Sequence, residues 1–409
     1  MKRILLCDSD LLTKLSDEVP SNKMRQSLVQ GLIKGYKLDE LCEIIDVEPI
    51  EYKRLTLYHD MDFIKQLILD RKEIDQQSEN HEVISNKISE VFDLIEDLVD
   101  DEVDAKDDEL YGLSHDCYPF PFMKYYINLT AASTIQLSER MCEYIKSQHQ
   151  QQFQSKIIGL NFYGGRHHGS KSKASGFCYI NDINLGISTI RKNLPNSNIF
   201  YLDLDLHYGN GVAEAFKFSQ KVTTCSVHRF DVGFFPNAGS FEESRTGAYN
   251  ISTKRGLNDE SLKWILEEVV LNLIKKHKPN FLIIQVGCDG LATDVHKQWN
   301  LTIKGFNKVI QNLINDIDRS IPIMILGGGG YNNAETAKCW THLTNFLLDS
   351  NFPKDINDFQ NEIPEHSLLD YYENDGYKFW TETNSNPSKM HNENTIESLQ
   401  EIKEYLLSL

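Results

Sequence analysis

The chain has 409 residues, of which 40% are hydrophobic and 25% charged, the composition of a globular protein that buries a sizeable core. One large α/β domain is expected at this length. Its 60 acidic and 42 basic residues leave a formal net charge of -18, which excludes direct nucleic-acid binding, because tracking phosphates needs clustered Lys and Arg; a basic partner fits better.

In chain order, the first apolar run, "RILLC" from Arg3, ends at Asp8. It is too short for the apolar part of a signal peptide, and no stretch approaches the roughly 18 apolar residues of a membrane span. The chain is therefore expected to be neither secreted nor membrane-spanning. Further short, β-branched runs follow: "KIIGLNF" from Lys156, "NIFYLDLD" from Asn198, "KVTTCSV" from Lys221, "NFLIIQVG" from Asn280 and "IPIMILGGGG" from Ile321. Nearly unbroken hydrophobicity marks strands buried on both faces, as in a parallel sheet covered by helices. One such helix is predicted from Asn258, with apolar Leu262, Ile265, Val269 and Leu273 at helical spacing and Lys275, Lys276 and Lys278 before Pro279.

Two segments fall outside this pattern. Residues 71–110 are polar and acidic, closing with "DLVDDEVDAKDDEL", and read as a solvated insertion in a domain spanning 1–375. Residues 376–409 read as a polar tail ending in an amphipathic helix, with Asn394 and Glu397 capping the stripe Ile396, Leu399, Ile402 and Leu406. The eight cysteines show no CxxC spacing, so neither a disulfide framework nor a thiolate zinc knuckle is expected.

Chemistry is expected where the strands end. In "YLDLDLHYGNG", Asp203, Asp205 and His207 alternate, and a period of two places all three on one face. Burying two carboxylates and an imidazole is costly without a compensating cation, and this donor mix suits zinc with an open position for water. A strand-end hydrogen-bond cluster is the plainer reading. Asp289, ending "FLIIQVGCD", is either a ligand or a turn former before Gly290. Tyr331, after Gly327 to Gly330, is either a phenol at the same layer or a surface tyrosine beyond a flexible turn. In "YGGRHHGSKSKASGFCYIND", the pair His167 and His168 points to proton transfer beside a metal, with Asp203 and Asn210 as candidates to orient the rings. Phe177 and the pair Phe234 and Phe235 are candidates to wall an apolar slot.

The motifs "GGRHH", "ASGFCYIND", "YLDLDLHYGNGV", "GFFPNAGS", "GCDGLATD" and "GGGGYN" resemble those of zinc-dependent histone deacetylases in order and spacing, most closely the fungal Hos-type branch of the class I group. The resemblance covers roughly Arg25 to Trp340. It implies the arginase/deacetylase fold, a single parallel sheet of about eight strands with helices on both faces. It also implies that Asp205, His207 and Asp289 hold zinc, that His167 and His168 handle protons, that Asp203 orients the first of them, and that Tyr331 polarises the acetyl carbonyl. Phe177 and Phe235 match the tunnel walls, Gly176 its floor and Asp116 the rim acid that grips the substrate backbone. The carbonyls of Asp203, Asp205, His207, Ser226 and Val227 match a structural K+ site. Three positions depart from the class I pattern: Asn210 replaces an aspartate beside the second histidine, Tyr208 replaces a histidine, and His296 stands at a commonly apolar rim position. The sequence around Cys117 also drifts from the family's "DCP" loop.

The function so implied is hydrolysis of N6-acetyl-lysine on histone tails, in the nucleus or cytoplasm, with a corepressor-type complex as a possible setting. Alternatives are other chromatin proteins such as cohesin subunits, acetylpolyamines or longer acyl-lysines on the same fold, and a catalytically silent scaffold. Retention of every matched ligand, both histidines and Tyr331 weighs against the scaffold.

Overall fold

A computed structural model describes residues 2–92, 95, 104–148, 155–350, 352–358 and 360–409. Eight strands are formed: β1 (Lys2–Asp8), β2 (Glu43–Asp46), β3 (Lys156–Asn161), β4 (Ile199–Asp203), β5 (Val222–Arg229), β6 (Ala248–Thr253), β7 (Phe281–Gln285) and β8 (Ile323–Leu326). They make one sheet in the order β2-β1-β3-β8-β7-β4-β5-β6, and every neighbouring pair is parallel. This is the arginase/deacetylase α/β architecture expected from the sequence.

All six apolar runs became strands. The two without such a run are the edges of the sheet. β2 is four residues, "EIID", alternately half-buried and exposed, and β6 carries Asn250, Ser252 and Thr253 among its buried positions. The half-exposed edge β2 needs no continuous apolar run, whereas β6 is buried and its polar side chains are hydrogen-bonded, Asn250 Nδ2 donating to Ser240 O at 3.2 Å and Thr253 Oγ1 to His228 O at 3.0 Å.

Alternate strand residues feed two cores, one on each face. Ile4, Leu6, Phe200, Leu202, Leu282 and Ile284 pack with helices Arg25–Gly35, Ile303–Asp316 and Asn333–Leu348. Leu5, Cys7, Ile199, Tyr201, Phe281 and Ile283 face helices Asp10–Asp17, Met123–Gln148 and Asp182–Asn193. The helical stretch after Asn258 forms as the sequence reads: the Asn258 side chain accepts from Ser261 N, and Leu262, Ile265, Val269 and Leu273 are buried.

The acidic segment is only partly solvated. Helix His81–Val91 buries Ile84 and Ile88 in the second core, and Arg71 pairs with Asp108 at 2.6 Å; residues 97–103 of the acidic run lie outside the described residues. Past residue 376, Phe379 and Trp380 are fully buried in the first core, and Trp380 Nε1 donates to Pro353 O at 2.8 Å. Helix Ile396–Ser408 buries Leu399, Ile402 and Leu406, whereas Ile396 is exposed. Its cap is Thr395, whose side chain accepts from Ser398 N. Asn394, expected to cap, instead pins the backbone beyond β6, accepting from Lys254 N at 2.6 Å and donating to Lys254 O at 3.1 Å. Among the described residues, no helix is long and apolar enough to cross a membrane.

The order of the strands positions the site. The chain runs from β1 out to β2, returns to β3, crosses to β4, β5 and β6, and then comes back to lay β7 and β8 between β4 and β3. The carboxyl ends of β3, β8, β7 and β4 therefore open side by side at the reversal of strand order, where α/β sheets form their crevice.

Candidate active site

Each of these four strands delivers one part of the site: β3 leads to His167 and His168, β4 to Asp205 and His207, β7 to Asp289, and β8 to Gly327–Gly330 and Tyr331. The "GGRHH" loop is fastened from beneath by Asp182, whose carboxylate accepts from Gly165 N at 3.1 Å and Arg166 N at 2.8 Å. The glycine run serves proximity. Gly329 N donates to Asp205 Oδ2 at 2.8 Å, and a Cβ at Gly329 would lie 2.6 Å from Asp289 Oδ2.

Asp205, His207 and Asp289 converge, with one ligand atom from each lying within 4.8 Å of the others. Asp205 and Asp289 are essentially inaccessible to solvent, and His207 is 9% exposed. Burial and the neighbouring Asp205 push the Asp289 carboxyl up to about 6. Burial opposes charge on His207, yet Asp205 and Asp289 hold its imidazole up at about 10. Two carboxylate oxygens and one imidazole nitrogen, buried and crowded together, are a donor set that fits a zinc ion with an open coordination position. Asp205 is further oriented by Gln285 Nε2 at 2.7 Å, and Asp289 by Leu206 N at 3.0 Å.

Asp203 is not part of this group. β4 ends at Asp203, so the strict alternation that would put it beside Asp205 and His207 does not continue. Its Oδ2 instead accepts from His167 Nδ1 at 2.8 Å and from Tyr201 Oη at 2.6 Å. Asp289, by contrast, lies in the cluster, its Oδ1 accepting from Leu206 N at 3.0 Å and its Oδ2 lying 2.9 Å from His207 Nδ1.

The two histidines stand in different surroundings. Burial disfavours charge on His167, but Asp203 and Asp205 overcome it and raise the imidazole to about 9. His168 Nδ1 donates to Asn210 Oδ1 at 2.7 Å, and burial followed by repulsion from His167 holds this ring well below the ordinary histidine range. The ring centroids are 4.0 Å apart, so charge on one opposes charge on the other. Burial, then Asp289 and Asp205, push the Tyr331 phenol far above its usual value, which keeps its O–H as a donor.

Aromatic rings line the approach. Phe235 lies 4.9 Å from His168 and 6.0 Å from His207 between centroids, and Phe177 lies 5.7 Å from Tyr331. Gly176, at φ 56°, sits against His168, where a Cβ would fall 2.4 Å from Cδ2. Its N–H donates to Asp116 Oδ2 at 2.9 Å, and Asp116 itself is exposed on the rim. His296 borders the same opening, 5.3 Å from His207 and 4.8 Å from Tyr331. A cavity of about 330 Å³ at the mouth is lined by Asp116, Tyr118, Phe177, Val295, His296 and Tyr331, among others.

Sequence reasoning missed several supports. Asp294 accepts from Tyr331 N at 2.7 Å and Asn332 N at 3.2 Å through Oδ2, and from His296 Nδ1 at 2.9 Å through Oδ1. Phe234, read from the sequence as a wall residue, instead stacks on His207 at 5.2 Å with the planes 1° apart. Asp294 closes the "GCDGLATD" motif, so a signal existed; Gln285 and Tyr201 lie inside strands and gave none.

Residues 19–347 match the histone deacetylase domain family. Histone deacetylase HOS1 of Saccharomyces cerevisiae is 35% identical over 316 residues, covering 72% of this chain and 65% of that protein. Histone deacetylase 8 of Xenopus tropicalis is 29% identical over 401 residues, covering 96% of this chain and 95% of its own length. Human histone deacetylase 1 is 30% identical over 392 residues, covering 95% of this chain and 70% of that protein. With the family matched across most of its length and these strand-end loops in place, the chain belongs to the histone deacetylase family, as a class I-like member with a fungal Hos-type relative.

Proposed function

We propose that the protein is a zinc-dependent lysine deacetylase that hydrolyses N6-acetyl-lysine on histone tails to lysine and acetate. The observation that carries this reading is the meeting of Asp205, His207 and Asp289 with His167, His168 and Tyr331 at the ends of four adjacent strands. Zinc held by Asp205, His207 and Asp289 would polarise the acetyl carbonyl and lower the pKa of its bound water toward ~7.

The chain's own groups do the rest. Neutral His168, with Nδ1 committed to Asn210, keeps its Nε2 lone pair free to take the water proton and return it to the departing lysine nitrogen. His167, charged and tied to Asp203, stabilises negative charge developing beside it. Tyr331 donates its phenolic hydrogen to the carbonyl oxygen as that oxygen becomes anionic. Phe177 and Phe235 enclose the lysine methylenes and exclude water, Gly176 forms the floor, and Asp116 holds the substrate backbone at the rim.

The net charge of -18 favours a basic peptide, as histone tails are. Work in the nucleus, within a corepressor-type assembly, belongs to the same proposal. A K+ ion among the carbonyls of Asp203, Asp205, His207, Ser226 and Val227 is supported by the register that sets Asp203 beside Ser226. The test is acetate release from an acetylated histone-tail peptide, alongside acetylated non-histone chromatin peptides, acetylpolyamines and longer acyl-lysine peptides. Preferred turnover of the histone peptide supports the reading, and preferred turnover of another acyl substrate replaces it.

A further inference from the structure

Tyr331 follows four consecutive glycines, Gly327–Gly330, the last of them at φ 128°. Glycine loses more conformational freedom on ordering than any other residue, so the run by itself gives the phenol no fixed direction. A donor that meets a developing oxyanion has to be held to within about 0.5 Å. Among the described residues the Tyr331 hydroxyl forms no hydrogen bond, so its aim is set by the backbone and by the rings beside it.

The glycines are tied one by one. Gly327 N donates to Asn161 O at 3.0 Å and Gly329 N to Asp205 Oδ2 at 2.8 Å, while Arg25 Nη1 donates to Gly328 O at 3.1 Å and Gly330 O at 2.9 Å. The next two N–H groups, those of Tyr331 and Asn332, both go to Asp294 Oδ2, at 2.7 Å and 3.2 Å. Asp294 Oδ1 accepts from His296 N at 3.0 Å and from His296 Nδ1 at 2.9 Å, which sets that ring 4.8 Å from the Tyr331 ring. A single carboxylate, 1% exposed, thus gathers four donors and fastens the loop beyond β7 to the loop beyond β8. It holds the phenol from two sides, through the Tyr331 backbone and through the imidazole packed beside it.

Building on the deacetylase reading above, we propose that Asp294 is a positioning residue for the hydrolytic step, aiming the Tyr331 hydroxyl at the acetyl carbonyl by fixing the Tyr331 backbone and the His296 ring. Asp294 touches neither the substrate nor the metal ligands' donor atoms, and it acts through Tyr331. An amide at this position keeps one accepting oxygen and turns an NH2 toward donors, so Asp294→Asn breaks one pair of the bonds at nearly constant volume.

The test is a kinetic double-mutant cycle on an acetylated histone-tail peptide, with zinc content, thermal melting and amide hydrogen exchange measured on the same preparations of the full chain. Asp294→Asn should lower kcat roughly tenfold or more, change KM by less than about twofold and keep its zinc. Exchange of the Tyr331 and Asn332 amides should quicken roughly tenfold or more. In the Tyr331→Phe background the same substitution should change kcat by less than about twofold, because the group it aims is already gone. Asp294→Ala, which presents no NH2 to the donors, is the second variant. Equal fold-losses of kcat in the two backgrounds, a rise in KM alone, unchanged exchange, or loss of zinc or of the folded state in both variants would overturn the proposal. A parent that releases no acetate would overturn the deacetylase reading and this proposal with it, whereas additive losses in an active parent would overturn the role of Asp294 alone.

Discussion

His168 Nδ1 donates to the amide oxygen of Asn210 at 2.7 Å, whereas its neighbour His167 donates to the carboxylate of Asp203 at 2.8 Å. The two imidazoles thus differ in the charge of their Nδ1 partner. Asp203, with Asp205, overcomes burial and holds His167 up at about 9, whereas burial and repulsion from His167 depress His168 well below its ordinary value, and the neutral Asn210 amide offers no charge to offset them.

Asn210→Asp replaces a neutral acceptor with an anion in almost the same volume. A carboxylate favours the imidazolium, so the pKa of His168 rises. With neutral His168 as the proposed base, the acidic limb of the kcat/KM profile should move to higher pH, and proton donation to the leaving lysine should improve. The pH profiles of parent and variant check this, with zinc content and fold verified. Superimposable profiles would mean that Asn210 does not govern His168.

Tyr331→Phe removes one hydroxyl. The protein should keep its zinc and thermal stability while kcat falls by roughly two orders of magnitude or more, the usual effect of deleting an oxyanion donor. Turnover at the parent's rate would assign carbonyl polarisation to another group.

Acid lability follows from buried neutral histidines. His59 Nε2 accepts from Asn181 N at 3.0 Å, Nδ1 faces Lys171 O at 3.2 Å, and burial lowers the ring to about 4. The unfolded chain takes up this proton near pH 6.5 and the folded protein only near 4. Stability is therefore complete above about pH 6.5 and is lost as pH falls toward 4, by up to about 3 kcal/mol for one such group. His228, lowered to about 4 by burial, acts in the same direction. Urea denaturation at pH 7 and pH 5 should show a smaller loss in His59→Gln than in the parent. An equal loss in both proteins would place the acid sensitivity elsewhere.

The terminal helix is expected to be part of the body of the protein and not a free partner-binding arm. Leu406→Ala deletes a fully buried side chain and should cost about 2–5 kcal/mol in denaturant melts. Unchanged stability would show that the helix detaches in solution.

How far the sequence reveals this molecule depends on where each residue sits. Buried central strands such as "NIFYLDLD" are nearly continuously apolar, so they announce themselves, whereas β2 is half-exposed and β6 carries buried, hydrogen-bonded polar residues, and neither shows such a run. Local spacing placed Asp205 and His207 together but misread Asp203, because strand periodicity stops at its own position. Asp289 is 82 residues beyond His207, yet the two lie 2.9 Å apart, a proximity set by the pairing of β4 with β7 that no local pattern encodes. Motif resemblance pointed to that pairing, and the insertion of β7 and β8 into the middle of the sheet accounts for it.

The most direct test of the account is metal content and acetyl-lysine turnover measured on the same preparations of parent and Asp289→Ala. The parent should carry one zinc per chain and release acetate from the peptide. Asp289→Ala should lose most of the zinc and the turnover together, with a lower melting temperature, since binding to the folded state alone stabilises it. Unchanged zinc and undiminished turnover in folded Asp289→Ala would contradict the placement of the metal, and with it the proposed chemistry.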